Sequence, residues 1–332
     1  MEQSPLVAVL PDDLAAALDG ELARHPQQRL AQAVERLSAR YRQGDSATSP
    51  ILASEIDVAA YAGYRMPATY AAVHAVLAST ASLAPDFSPR TQVDVGGGTG
   101  AAVWAASSVW PSLARCTVVE QVADAIGLGR RLAAAASVSA VRDASWRRGL
   151  VDPAAPAPEA DLVTLSYVLG ELPARIRPDA VRWLSEKAQA VALIEPGTPA
   201  GYERIRAARA ELISLGLRVV APCPHHGECP ISLGSDWCHF SARLPRTALH
   251  RRLKAATLGF EDEKFAYVVA GRFEASRPEA RIIRHPKKHK GWVALDLCAT
   301  DGLKPGVAVS KKQGALYREA RDAEWGDAWP VS

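Results

Sequence analysis

Four of the five cysteines are placed where they could share chemistry. Cys223, Cys229 and Cys238 lie in the stretch CPHHGECPISLGSDWC, and Cys298 follows in LDLCATDG with 59 residues between. In a reducing compartment such a set points to metal or redox chemistry rather than to a disulfide framework. Four thiolates from a Pro/Gly-rich loop and a distant strand can converge tetrahedrally, which suits zinc or an iron–sulfur cluster. The closely spaced Cys pairs of zinc knuckles are absent. The wide spacings and the Cys223-Pro224 and Cys229-Pro230 pairs favour a cluster, whose larger core holds its thiolates farther apart. His225, His226 and His239 keep a mixed Cys/His zinc site open. Cys116 opens an apolar strand and reads as an inert core thiol.

The second group is VDVGGGTG, with Asp94, Gly96, Gly98 and Gly100 directly after a strand and before a helix. Glycines let the backbone turn sharply and approach a ligand, and the helix start offers free N–H groups. Glu120 ends the next strand, where a carboxylate can accept from ribose hydroxyls. A nicotinamide cofactor and S-adenosylmethionine compete for this pattern. The acid inside the strand end resembles motif I of class I methyltransferases, DLVTLSYVLGEL resembles their fourth-strand motif and LIEPGTP their fifth. By that resemblance Asp94, Gly96, Gly98 and Gly100 line the methionine side, Glu120 holds the ribose and Asp143 lies near the adenine. The catalytic half is poor. The Asn/Asp-Pro-Pro-aromatic motif of base-methylating enzymes is replaced by Ser166, Tyr167, Val168 and Leu169. The Pro222-Cys223 pair follows the sixth strand rather than the fourth, and His74 reads as a packed helix residue.

These groups need elements to position them. Residues 11–80 show apolar spacing of helices, with Pro67 expected to start or kink one. From Thr91 strands and helices alternate: TQVDV, RCTVVEQ, a weak third strand SAVRDA, DLVTLSYVL and VALIEP. That alternation predicts an α/β fold, a doubly wound, Rossmann-like sheet. We expect a helical region over 1–85, a methyltransferase-like core over 86–221, and over 222–332 the cysteine segment, the last core strands and a basic β-rich unit stapled by metal. FAYVVAGR reads as a late strand.

The chain has 332 residues, 48% hydrophobic and 23% charged, with a net charge of +3. These values exclude wholesale disorder, and no apolar run is long enough to span a membrane. The start, MEQSPLVAVLPDDL, lacks the features of a secretory signal or an Arg-rich mitochondrial leader, so we expect a bacterial cytoplasmic protein. Charge is unevenly spread. Residues 1–200 carry 17 Lys and Arg against 21 Asp and Glu, and residues 201–332 carry 22 against 15. Two basic runs flank the cysteines: Arg243, Arg246, Arg251, Arg252 and Lys254, and then Arg281, Arg284, Lys287, Lys288 and Lys290. They suggest a polyanionic partner such as RNA.

The segments AYAGYRMPATY, VDVGGGTG, LIEPGTP, CPHHGECPISLGSDWCHFSARLPR and KKQGALYREARDAEWGD together resemble the methyltransferase-like proteins of the mitochondrial small ribosomal subunit and their bacterial relatives. The likeness runs from about Ala59 to Trp329. It implies a class I methyltransferase fold, a 4Fe–4S cluster on Cys223, Cys229, Cys238 and Cys298, and binding to 16S-type ribosomal RNA during small-subunit assembly. Arg243, Arg246, Arg251, Arg252, Lys254, Arg284, Lys287, Lys288 and Lys290 are the expected RNA contacts, and the chain is expected to be monomeric off the ribosome. Two other readings stand beside it: an active S-adenosylmethionine-dependent rRNA methyltransferase, and a small-molecule methyltransferase with a structural zinc. Whether the chain is an enzyme is left open by the absent catalytic motif.

Overall fold

The computed structural model describes residues 9–43, 54–232, 234–245 and 260–330. Helices α1 (Asp12–Ala23), α2 (Gln27–Gln43) and α3 (Glu55–Leu83) open the chain. Ser54 caps α3 by accepting from the Asp57 N–H, and Glu55 and Asp57 place negative charge in its first turn. Of the two roles expected for Pro67, starting a helix is not seen: it lies buried inside one 29-residue helix.

The next strands are β1 (Thr91–Val95), β2 (Arg115–Glu120), β3 (Ser145–Arg148), β4 (Glu159–Ser166), β5 (Lys187–Pro196), β6 (Arg218–Ala221), β7 (Phe240–Pro245) and β8 (Phe260–Gly271). They form one sheet in the order β3-β2-β1-β4-β5-β8-β6, with β7 also paired to β8. The first five are mutually parallel, and β8 runs antiparallel to β5, β6 and β7. This is the Rossmann-like class I methyltransferase arrangement that the sequence predicts. Helices α4 (Ala101–Val109), α5 (Ala123–Ala134), α6 (Ser139–Arg142), α7 (Arg177–Ser185) and α8 (Pro199–Ser214) connect the strands.

Burial on both faces explains why the central strands are nearly all apolar. Leu162, Ala190, Ala192 and Ile194 face a core built with α1, α3, α4 and α5. Val163, Leu165, Val191 and Leu193 face the other core, under α7 and α8. Each such Leu, Ile or Val contributes about 1.5–3 kcal/mol by leaving water.

One element differs from the sequence reading. Within SAVRDA, Ser139–Arg142 form the short helix α6, and β3 starts only at Ser145. Short apolar runs do not distinguish strand from helix by period alone.

A second, five-stranded sheet follows. It contains β9 (Ala280–Ile282), β10 (Lys287–His289), β11 (Trp292–Ala299), β12 (Gly302–Ser310) and β13 (Ala328–Trp329), with helix α9 (Ala315–Asp322) packed on it. Its core is Ile282, Val293, Leu295, Leu297, Val309 and Trp329 with Ala320 of α9.

Candidate cofactor cleft and thiol site

The glycine turn between β1 and α4 uses positive φ at Gly96 (67°), Gly98 (56°) and Gly100 (90°), the left-handed region that favours glycine. Gly97 is needed for a different reason: a Cβ there would lie 2.4 Å from Asp94 Oδ2 and 2.7 Å from Val118. The turn and Asp94 are thus pressed together. Gly97 is absent from the site residues expected from the sequence, although the triple glycine is its signal.

Asp94 is 1% exposed. Thr164 Oγ1 donates to its Oδ1 at 2.7 Å, and Oδ2 has no partner. Burial pushes its carboxyl up to about 7, against the Thr164 hydrogen bond and helped by nearby Glu120. Glu120 clamps the turn: its Oε2 accepts from the Gly98 N–H at 2.9 Å and its Oε1 from the Val122 N–H at 2.8 Å. Each oxygen keeps a lone pair for a hydroxyl donor.

Asp94, Gly96, Gly97, Gly98, Thr99 and Ser166 line a cleft covered by Tyr61, Met66 and Thr69 of α3. Its volume is about 30 Å³, enough for water but not for a nucleoside. The unpaired Asp94 oxygen, the glycine cradle and the Glu120 carboxylate fit the cationic amino acid end and ribose of S-adenosylmethionine. Gly100 lies outside this lining; it starts α4, and a Cβ there would meet Trp146 at 2.9 Å.

Asp143 does not fit the adenine role expected of it. In doubly wound sheets ligands bind at the carboxyl ends of the strands. β3 pairs with β2 so that Arg148 lies beside Glu120 and Ser145 beside Thr117. Asp143 precedes β3, at the opposite edge, where it is exposed and pairs with Arg142 at 3.3 Å.

Beyond β4 the chain turns through Tyr167, a non-glycine residue at φ 64°. Such a conformation costs about 1–2 kcal/mol and is held by a buried network. Tyr167 Oη donates to Glu263 Oε1 at 2.9 Å, and Arg65 of α3 donates to both Glu263 oxygens at 3.0 and 3.2 Å. The guanidinium also lies 5.3 Å from the Tyr167 ring centroid. Burial alone would lower the Arg65 pKa, but the Glu263 carboxylate overrides this and raises it. Beside it, Glu195 is 1% exposed and accepts from Arg204 Nε at 2.5 Å.

The four candidate thiols lie together between the two sheets. Cys238 is pushed well above the usual thiol range by burial and then by Cys223, Cys229 and Cys298. Cys298, paired with Arg281 across β11 and β9, is pushed up to about 12 by burial and by Cys223 and Cys229. His225 Nε2 lies 3.8 Å from Cys298 Sγ, and Tyr202 Oη 3.2 Å from Cys229 Sγ.

Buried arginines surround the thiols. Arg209 Nη2 donates only to the carbonyls of His225 and Gly227, and its Nε has no acceptor. Arg281 Nε donates to Pro222 O and its Nη1 to Gly326 O, and Nη2 has no acceptor. The Asp327 carboxylate lies close enough to Arg281 for the two charges to interact, and Arg209 lies against Cys223.

Among the described residues, no three His, Cys, Asp or Glu side chains converge on a single ion position. The expected metal staple is therefore not seen, and Arg281 and Arg284 make the links between the segments instead. Arg284 pairs with Asp236 and donates to Trp237 O at 3.3 Å.

Cys116 is buried, and burial pushes its thiol up to about 12, which makes it unreactive. His74 is half-buried and stacked on Tyr70.

The expected RNA contacts separate. Arg243 makes a bidentate pair with Asp262 at 2.7 and 2.9 Å and covers Phe260 at 4.1 Å from the ring centroid. Arg284 is engaged by Asp236 and Trp237. Lys287 reaches Asp296 at 3.8 Å, whereas Lys288 and Lys290 are exposed and have no ion pair among the described residues. Arg246, Arg251, Arg252 and Lys254 lie outside the described residues. Trp237 donates to Gly197 O at 2.9 Å and Phe240 is buried.

Residues 55–330 match the family described as mitochondrial small ribosomal subunit Rsm22. The human mitochondrial ribosome assembly protein METTL17 is 31% identical over 291 residues, covering 82% of this chain and 62% of its own length. The Saccharomyces cerevisiae mitochondrial ribosome assembly protein RSM22 is 22% identical over 281 residues, covering 52% of this chain and 44% of its own. The chain thus spans less than two thirds of the length of these curated relatives. Magnesium protoporphyrin IX methyltransferase from Synechocystis, solved with S-adenosylhomocysteine, superposes with a TM-score of 0.40 at 13% identity, over 62% of this chain and 84% of its own. The expectation of a bacterial cytoplasmic protein is corrected: the matching family and these curated relatives are mitochondrial.

Proposed function

This chain belongs to the mitochondrial small ribosomal subunit Rsm22 family, and from that premise we propose that it is a small-subunit assembly protein that uses its methyltransferase fold as a binding scaffold. The observation that carries this reading is the network beyond β4. Where a base-methylating enzyme opens a slot for its acceptor, Tyr167 is turned back and bonded to Glu263 under Arg65. A group so engaged is not a free base.

The cleft itself is read as an S-adenosylmethionine site. Asp94 would meet the ligand's ammonium and Glu120 the ribose hydroxyls. Bound ligand would lock α3 over the sheet and couple occupancy to stability.

The four cysteines 223, 229, 238 and 298 are read as ligands of a 4Fe–4S cluster. Support comes from the burial of Cys238 and Cys298 and from the neighbouring thiols that add to its effect on them. The cluster would convert metal-binding energy into folding energy for the 222–239 segment. Ribosomal RNA is the partner we assign to the basic second sheet.

The test uses the full chain, purified without oxygen, with mitochondrial small ribosomal subunits and labelled S-adenosylmethionine. Co-sedimentation that weakens steeply with salt, without methyl transfer to the subunit RNA, is expected. Methyl transfer abolished by Gly98→Arg would establish the catalytic alternative, and failure to co-sediment would remove the assembly reading.

A further inference from the structure

The hairpin of β10 and β11 places aromatic surface where a merely structural hairpin would not. Its turn is Lys290-Gly291, with Gly291 at φ 93°, and the residues flanking the turn, His289 and Trp292, are cross-strand partners. Their rings stack at 4.1 Å between centroids and 12° between planes. Along β11, Val293, Leu295 and Leu297 point into the core, so Trp292 points outward, and it is 38% exposed.

On its other side Trp292 faces Ser310 of β12. The chain then turns so that the Lys311 N–H donates to Gly291 O at 3.0 Å, which brings Lys311 and Lys312 to the same tip. Lys288, Lys290, Lys311 and Lys312 are all exposed, and none has an ion pair among the described residues.

We propose that this tip is a platform for single-stranded RNA, on which an unpaired base stacks on Trp292 while Lys290, Lys311 and Lys312 hold the flanking phosphates. Two independent features coincide at the tip. Lysines alone suit any polyanion, but an exposed indole backed by an imidazole presents a flat π face, which matches a base rather than an acidic protein surface. That the RNA belongs to the small subunit rests on the proposed assembly role; the chemistry of the platform does not.

The experiment measures binding of the full chain to a short labelled single-stranded RNA of mixed sequence, with inorganic polyphosphate as a base-free polyanion. Trp292→Ala should weaken RNA binding by about 5- to 100-fold and leave polyphosphate binding unchanged. Trp292→Phe should retain most of the affinity. Replacing Lys290, Lys311 and Lys312 by alanine should weaken both ligands and reduce the salt slope by about 0.7 for each phosphate that the tip no longer neutralises. An unaltered melting curve for Trp292→Ala excludes misfolding. RNA affinity unchanged in Trp292→Ala, or an equal loss for both ligands, would contradict the platform. RNA binding that depends on Trp292 in a chain that fails to co-sediment with small subunits would keep the platform and remove the assembly reading.

Discussion

Asp94 carries a cost that the folded chain does not recover from its own atoms. Its Oδ2 is buried and unpaired, and its carboxyl is pushed up to about 7 from an ordinary 3.8. Because the folded-state value is the higher one, the folded chain holds a proton that the unfolded chain has already lost. Stability should therefore fall as pH rises from about 4 to about 7, by up to about 4 kcal/mol, and level off above that. Asp94→Asn should flatten this stretch of the pH–stability curve and make the ligand-free protein more stable at pH 8. It should also abolish the rise in melting temperature on adding S-adenosylmethionine, as thermal unfolding across pH with and without ligand would show. Asp94 and Glu120 are legible in the sequence because strand, glycine turn and acid follow one another within a short span. Asp143 is misplaced by it because its role depends on which end of β3 it occupies, and a strand boundary shifted by a few residues reverses that answer.

The link between elements that matters most is the one among α3, the β4 exit and β8. Arg65 and Glu263 are 198 residues apart, so no local pattern announces their pairing. Both are largely buried, and removing one partner leaves the other as an uncompensated charge. Arg65→Met should cost about 3–5 kcal/mol in chemical denaturation. Arg65→Met combined with Glu263→Gln should cost less than the sum of the two single changes, because they share one interaction. The alternation of strands and helices is readable from period and turn residues. The insertion of β8 between β5 and β6 is not, since antiparallel pairing with both neighbours is decided by topology after Gly197 and not by composition.

Over the whole molecule, the segment 222–239 lies between the two sheets, and Arg281 bonds it to the end of the chain through Pro222 O and Gly326 O. The spacing of the cysteines suggests a shared centre, and the structure gathers the four thiols. Burial raises the Cys238 and Cys298 thiols, the neighbouring thiols add to it, and no residue pattern announces the part that Arg281 plays in holding the segment. The most direct test is the iron and acid-labile sulfide content of the chain purified without oxygen, together with its resistance to protease. We predict about four irons and four sulfides per chain. Both should be lost in Cys298→Ala, with cleavage appearing within 222–239, and both retained in Cys116→Ala. A colourless wild-type protein that contains zinc or no metal, and is as protease-resistant as Cys298→Ala, would contradict a cluster at the four thiols.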